Sequence, residues 1–203
     1  MSLTQIGIKH NSDKAYLHKF TDHYEPTLGP VKHTIHNMLE IGIETGASLN
    51  MWKEWLPHAH VYAIDTVDCT HMSDDRCTIW KMSQTDVTGI TEALQGIALD
   101  LIVDDGSHFC NHQQITLQGL WPLLKSGGWY IIEDIHTSTW PDFHDAAYCT
   151  TQQWANDVIK RTAANSLPTH ACLKHIEQQL ENLHVYTGPN GSTHSQVALL
   201  KKK

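Results

Sequence analysis

Residues 37–48, Asn37-Met-Leu-Glu-Ile-Gly-Ile-Glu-Thr-Gly-Ala-Ser48, decide the fold. The apolar run from Asn37 to Ile43 ends in a glycine turn, and Ser48 to Leu56 reads as a helix, which makes a strand–turn–helix unit. The unit recurs downstream. His60-Val-Tyr-Ala-Ile-Asp65 and Cys77-Thr-Ile-Trp-Lys-Met82 read as strands two and three. A helix over Val87 to Leu94 leads into strand four, Leu99-Asp-Leu-Ile-Val-Asp104. Ser107 to Leu124 reads as a long helix closed by Gly127-Gly128, before strand five, Trp129-Tyr-Ile-Ile-Glu133. Short apolar strands separated by helices imply a parallel sheet covered on both faces.

The flanks differ. Asp13 to Tyr24 and Thr27 to His36 read as a helical lead-in. Past strand five, Thr151 to Asn165 and Leu173 to Glu181 read as helices, then Leu183-His-Val-Tyr186 and Gln196-Val-Ala-Leu-Leu200 as strands. The turn-rich Gly188-Pro-Asn-Gly-Ser192 between them is too short for a parallel crossover and implies an antiparallel hairpin. The expected fold is α/β and Rossmann-like: five parallel strands plus a C-terminal antiparallel hairpin, with helices on both faces. One domain is expected across 1–203, its lead-in 1–36 and its core 37–203.

Composition narrows the function classes. Of 203 residues, 22 are acidic and 14 are Lys or Arg, a net charge of −8, which disfavours non-specific nucleic-acid binding. The closing Lys201-Lys-Lys203 reads as a solvated tail. Five scattered cysteines (Cys69, Cys77, Cys110, Cys149, Cys172) form no C-x-x-C pair, as in a reducing compartment. With no signal core at Met1 to Lys9 and no apolar span, a cytoplasmic protein without membrane contact is expected. Most of the 16 histidines stand singly in polar surroundings. His108 and His112 have helical zinc-site spacing, but Phe109 replaces the glutamate of H-E-x-x-H.

Ligands of an open α/β sheet bind beyond the carboxyl ends of its strands, and polar residues cluster there. After strand one, Gly42 and Gly46 allow close backbone approach, and Glu40 and Ser48 flank them. The spacing is not G-x-G-x-x-G, which lowers a nicotinamide-dependent oxidoreductase reading. Asp65, ending strand two, is placed for the hydroxyls of a ribose. After strand three, Ser83 and Gln84 are placed for an adenine edge, while Asp86 reads equally as a helix cap.

The reacting end is sharper. Val103-Asp-Asp-Gly-Ser-His108 and Ile132-Glu-Asp-Ile-His136 put Asp104, Asp105, Glu133 and Asp134 on adjacent strand ends. Their mutual repulsion calls for a cation. Oxygen-only ligands suit Mg²⁺, with Mn²⁺ as a substitute, rather than zinc. His108, read as the start of the long helix, gains a neutral imidazole from the positive helix end and the metal, as a general base requires.

On these residues the chain resembles the metal-dependent sugar O-methyltransferases of macrolide biosynthesis and the related cephalosporin-hydroxylase/rhamnosyl O-methyltransferase group. Ser12-Asp-Lys14 with His18, Phe20-Thr21 and Tyr24 is similar to the family's lead-in, and Glu40 to Ser48 to its cofactor loop. Asp104 to His108 and Glu133 to Ser138 are similar to its most specific motifs. The resemblance implies a class I methyltransferase fold, S-adenosylmethionine as cofactor, Asp105, Glu133 and Asp134 as metal ligands, and His108 as base. It also implies Asp104 beside the cofactor and His136 and Trp140 near the substrate. The expected reaction moves a methyl group to a hydroxyl of a sugar or glycosylated small molecule. A cofactor-binding regulatory module without turnover and a hydroxylase-type enzyme on the same fold stay open, as does a homo-oligomer.

Overall fold

The structure is a computed structural model and describes residues 1–146, 149–164, 173–189 and 192–203. Asn165, Cys172 and the Asn190-Gly191 tip of the expected hairpin lie outside the described residues.

The sheet has the strands β1 (Asn37–Ile41), β2 (His60–Asp65), β3 (Cys77–Lys81), β4 (Leu99–Asp104), β5 (Leu124–Ile132), β6 (Leu180–Gly188) and β7 (Ser192–Lys202). Their order is β3-β2-β1-β4-β5-β7-β6. The first five are mutually parallel, whereas β7 runs antiparallel to β5 and to β6. The helices are α1 (Leu3–Lys9), α2 (Asp13–Tyr16), α3 (Thr21–Leu28), α4 (Ala47–Trp55), α5 (Val87–Leu94), α6 (Cys110–Leu120), α7 (Thr151–Ala163) and α8 (Lys174–Gln179).

Alternation along the strands sends neighbouring side chains to opposite faces. Met38, Leu101, Val103 and Ile131 join one core with Leu3, Phe20, Tyr24 and Trp52 of α1, α4 and the α3 region. Leu39, Ile102, Tyr130 and Ile132 join the other with Leu117, Trp121 and Trp154. The lead-in thus shares one face of the sheet with α4 and brings its polar residues to the strand ends.

Several boundaries differ from the sequence reading. The expected helix from Ser107 begins only at Cys110, because His108 is left-handed (φ 62°) and Phe109 extended. It ends at Leu120, ahead of Pro122, and β5 then runs through Gly127-Gly128 instead of being preceded by them. Gly128 is there for close packing: a Cβ would lie 3.0 Å from the Asp100 carbonyl oxygen. The lead-in is broken at left-handed Lys19 and continues past Leu28 as a 3₁₀ turn, Gly29–Thr34. It also starts earlier than expected, with α1 capped by a Ser2–Gln5 capping box.

The lysine run is not a solvated tail. Lys201 and Lys202 belong to β7, and the Lys202 ammonium donates to the carbonyls of Trp121 (2.9 Å) and Leu124 (2.7 Å). Cys69, Cys77 and Cys110 are buried free thiols, and no helix among the described residues is long and apolar enough to cross a membrane.

Candidate active site

A cleft of about 560 Å³ opens over the carboxyl ends of β1 to β5. Gly42 to Thr45 and Ser48 line it after β1, Asp65 to Val67 after β2, and Ser83 and Gln84 after β3. Asp105 to His108 follow β4 and Asp134 follows β5. The crossing of successive strand ends therefore gathers residues far apart in sequence.

The half near β1 to β3 is built on backbone donors. Asp65 accepts from the amides of Ile43 (2.8 Å), Glu44 (3.3 Å) and Val67 (2.8 Å). Burial opposes its charge, but these amides outweigh burial and hold the carboxyl below its usual range. Gly42 has φ 89°, and a Cβ there would lie 2.0 Å from the Asp105 carbonyl oxygen, so only glycine fits. Gly46, also left-handed, sits at the N-cap of α4 with Met72 against it. Ser83 exchanges a hydrogen bond with Thr85 (2.9 Å), and Asp86 caps α5.

Three expected cofactor residues, Glu40, Gly46 and Asp104, stand outside the cleft lining. Glu40 is fully buried, accepts from Trp52 Nε1 at 3.2 Å, and burial pushes its carboxyl up to about 7. Asp104 lies beneath Gln84, whose Nε2 donates to it at 3.2 Å, and burial likewise raises it to about 7. Gln84 is engaged on its other side too, since its Oε1 accepts from the Ser107 amide at 2.7 Å.

The four carboxylates do not converge on one point. Lys14, 1 % exposed, donates from Nζ to both Asp105 Oδ2 and Glu133 Oε2, the latter at 2.9 Å. Tyr24 donates to the other Glu133 oxygen at 2.8 Å. The cation that sequence reasoning demanded between these acids is thus in part the protein's own. Burial alone would lower the Lys14 pKa, but the charges of Asp105, Glu133 and Glu40 outweigh it and raise it well above its usual value. Burial raises Glu133, against the pull of Lys14.

Asp105, His108 and Asp134 do converge, each offering a ligand atom within 4.8 Å of the others. Burial first, then the Asp105 charge, pushes Asp134 up to about 7. Asp134 Oδ1, His108 Nδ1 and His136 Nδ1 are buried with no hydrogen-bond partner, the first and last 3.6 Å apart, so unmet polar demand surrounds Asp134. The two carboxylates offer the oxygen ligands that suit a hard divalent cation, with the imidazole beside them. His108 precedes the N-cap of α6, so burial and not the helix end lowers its pKa. Its left-handed backbone matches that of Asp134 (φ 52°), and the Thr137 hydroxyl lies 2.9 Å from the His108 carbonyl oxygen and 2.8 Å from that of Asp134.

Beyond Asp134, His136 Nδ1 lies 3.6 Å from its carboxylate, and the ring packs edge-on against Trp140 at 5.1 Å. Trp140 and Phe143 (6.0 Å apart) extend an aromatic wall towards His108. His112 also lines the cleft, held by Ser107 at 2.7 Å. Sequence reading gave it no role, and gave none to Lys14 or Tyr24 beyond the resemblance of the lead-in. Lys14 meets partners 91 and 119 residues away, a relation no local pattern carries.

Strand order and rim together define a class I methyltransferase fold. Within that class the chain is a relative of antibiotic-sugar O-methyltransferases. It is 32% identical over 152 residues to 8-demethyl-8-alpha-L-rhamnosyl tetracenomycin-C 2'-O-methyltransferase of Streptomyces olivaceus, covering 71% of this chain and 40% of that one. It is 29% identical over 204 residues to mycinamicin VI 2''-O-methyltransferase of Micromonospora griseorubida, covering 91% and 50%. Among solved structures, MycE in complex with Mg, SAH and mycinamycin VI superposes with a TM-score of 0.82 at 26% identity, over all of this chain and 54% of that one. The chain spans about half the length of the curated relatives it matches. No protein-family model matches it.

Proposed function

We propose that this chain is a Mg²⁺-dependent O-methyltransferase that moves a methyl group from S-adenosylmethionine to a hydroxyl of a sugar or glycosylated small molecule. The observation that carries the reading is the convergence of Asp105, His108 and Asp134 on the wall of the cleft. Relatives named for methylating sugar hydroxyls, and a solved relative holding Mg and SAH, support it.

In this reading Asp105, Glu133 and Asp134 hold Mg²⁺, or Mn²⁺ in its place. Lys14 and Tyr24 do not exhaust Glu133, because a carboxylate offers about four lone-pair sites. When bound, the divalent ion acidifies the acceptor hydroxyl and the sulfonium donor supplies the methyl group. Asp65 binds the ribose hydroxyls, the loop from Gly42 to Ser48 receives the rest of the donor, and Ser83 and Gln84 border its base. His108, kept neutral by burial, takes the acceptor's proton at Nε2, the nitrogen facing Asp134. His136 and Trp140 orient the acceptor, for which an aromatic wall suits the apolar face of a sugar ring or an aglycone.

The test is incubation of the protein with S-adenosylmethionine, Mg²⁺ and a panel of glycosides, following S-adenosylhomocysteine and methylated product. Product that disappears with chelator and returns with Mg²⁺ is expected. Tight donor binding without product across the panel, or product that requires O₂ and a reductant, would overturn the reading.

A further inference from the structure

We propose that Lys14 is a positioning residue that sets the charge of the metal site: its ammonium shares Asp105 and Glu133 with the divalent ion and so weakens the hold on that ion. The inference rests on the metal-dependent reading above. Lys14 Nζ bonds one oxygen of each carboxylate and is shut off from solvent, so its charge is screened little by water.

The ammonium cannot swing away cheaply. α2 is short, and the turn after it is tied to the last strand, where His18 Nδ1 and Ser195 Oγ lie 2.7 Å apart. Ala15, next to Lys14, is fully buried, and a Cβ on Gly7 of α1 would lie 2.5 Å from its Cβ. A fixed positive charge beside a divalent cation repels it over a few ångströms of low-dielectric interior. The consequence is an ion held by partly neutralised carboxylates. It stays exchangeable, and it keeps more of its Lewis acidity for the acceptor.

A purely structural strut would act in the opposite direction. If Lys14 only kept Asp105 in place, its removal would let the carboxylate wander and the ion would bind more weakly. The sign of one measurement separates the two roles. Mn²⁺ is titrated by calorimetry or electron paramagnetic resonance into the wild-type chain, Lys14→Gln and Lys14→Met, without donor or acceptor. Gln keeps hydrogen-bonding capacity without charge, and Met keeps the volume.

Both variants are expected to bind Mn²⁺ roughly tenfold tighter or more, given the size of buried charge–charge terms. Unchanged or weaker binding in a folded variant overturns the proposal while leaving the metal-dependent reading intact. Wild-type protein that binds no Mn²⁺ overturns both. Should a variant be unfolded alone, folding at Mn²⁺ concentrations below the wild-type Kd supports the proposal, because only a tighter site lets so little ion drive folding, and folding that needs more counts against it. Failure of both variants to fold at saturating Mn²⁺ counts against it.

Discussion

His108 Nε2 stands 4.0 Å from Asp134 Oδ2, although one residue follows β4 and the other follows β5. Both backbones are left-handed, a conformation that costs energy in non-glycine residues and recurs at functional sites. In the proposed reading His108 is the group that moves the proton. His108→Gln is expected to lower kcat by on the order of 100- to 10,000-fold while leaving affinity for S-adenosylhomocysteine unchanged. Because burial depresses its pKa, the base is neutral across the neutral range, and the acid limb of the rate profile falls below roughly pH 6.5. Steady-state rates and donor calorimetry check both points, and a loss confined to KM would remove His108 from the chemistry.

Thr137 holds that pair in place. Its hydroxyl is buried between the His108 and Asp134 carbonyls, at 2.9 and 2.8 Å. Thr137→Val keeps the shape and the amide bond to the Asp134 carbonyl but removes the one hydroxyl proton the two carbonyls share, at a cost of about 1–3 kcal/mol. Urea denaturation measures the loss of stability. Turnover is expected to fall as well, since the two left-handed residues lose their common tether, and wild-type kcat in the variant would dissociate backbone from chemistry.

Asp65 braces the cleft wall and, in the proposed reading, binds the donor's ribose. Three backbone amides hold it in the cleft wall, with its pKa held down as a result. Asp65→Ala is expected to weaken S-adenosylhomocysteine binding by about 1.5–3 kcal/mol, the range for lost hydrogen bonds to a charged group. Calorimetry decides it, and full affinity in the variant would return Asp65 to a loop-bracing role.

What was legible in the sequence followed from local chemistry. The strands β1 to β4 announced themselves because each is a short apolar run punctuated by polar residues at its carboxyl end, where ligand-binding groups must sit. The start of α6 was misread because nothing in Ser107-His-Phe109 signals a left-handed histidine; tertiary ties such as Thr137 impose it. β5 extends further than its sequence suggests because Gly127 and Gly128, which look like a turn, lie in the irregularity between the Leu99–Leu124 and Leu101–Trp129 pairs, with Gly128 packed against Asp100. The lysine run was read as solvated because charge argues for water, yet Lys202 finds carbonyls at the end of the Trp121 turn. The acids of the site were visible, but their division by Lys14 was not. Repulsion between carboxylates tells that a cation is needed and not who supplies it.

His136 supplies a pH signature. Burial, then the neighbouring imidazoles His18, His108 and His194, lower its pKa to about 4. The unfolded chain takes up that proton near 6.5, the ordinary imidazole value. Its contribution to stability is therefore complete above about pH 6.5 and is lost progressively as pH falls, levelling off near 4. The shift corresponds to on the order of 1–3 kcal/mol. Denaturation of metal-free protein at about pH 7.5 and about pH 4.5 should show a smaller acid loss for His136→Gln than for the wild type. Equal losses would mean that His136 does not carry the effect.

At Gly42 the loop after β1 touches the chain after β4 backbone to backbone, with no side chain between to cushion a shift. In the proposed reading, the loop that receives the donor and the segment that carries the metal ligand and base are consequently geared together like two wheels on one axle. On that reading the outer aromatics around Trp140 are the place to seek altered choice of acceptor. A library that randomises that wall while sparing positions 42 and 105 explores new chemistry without dismantling the engine.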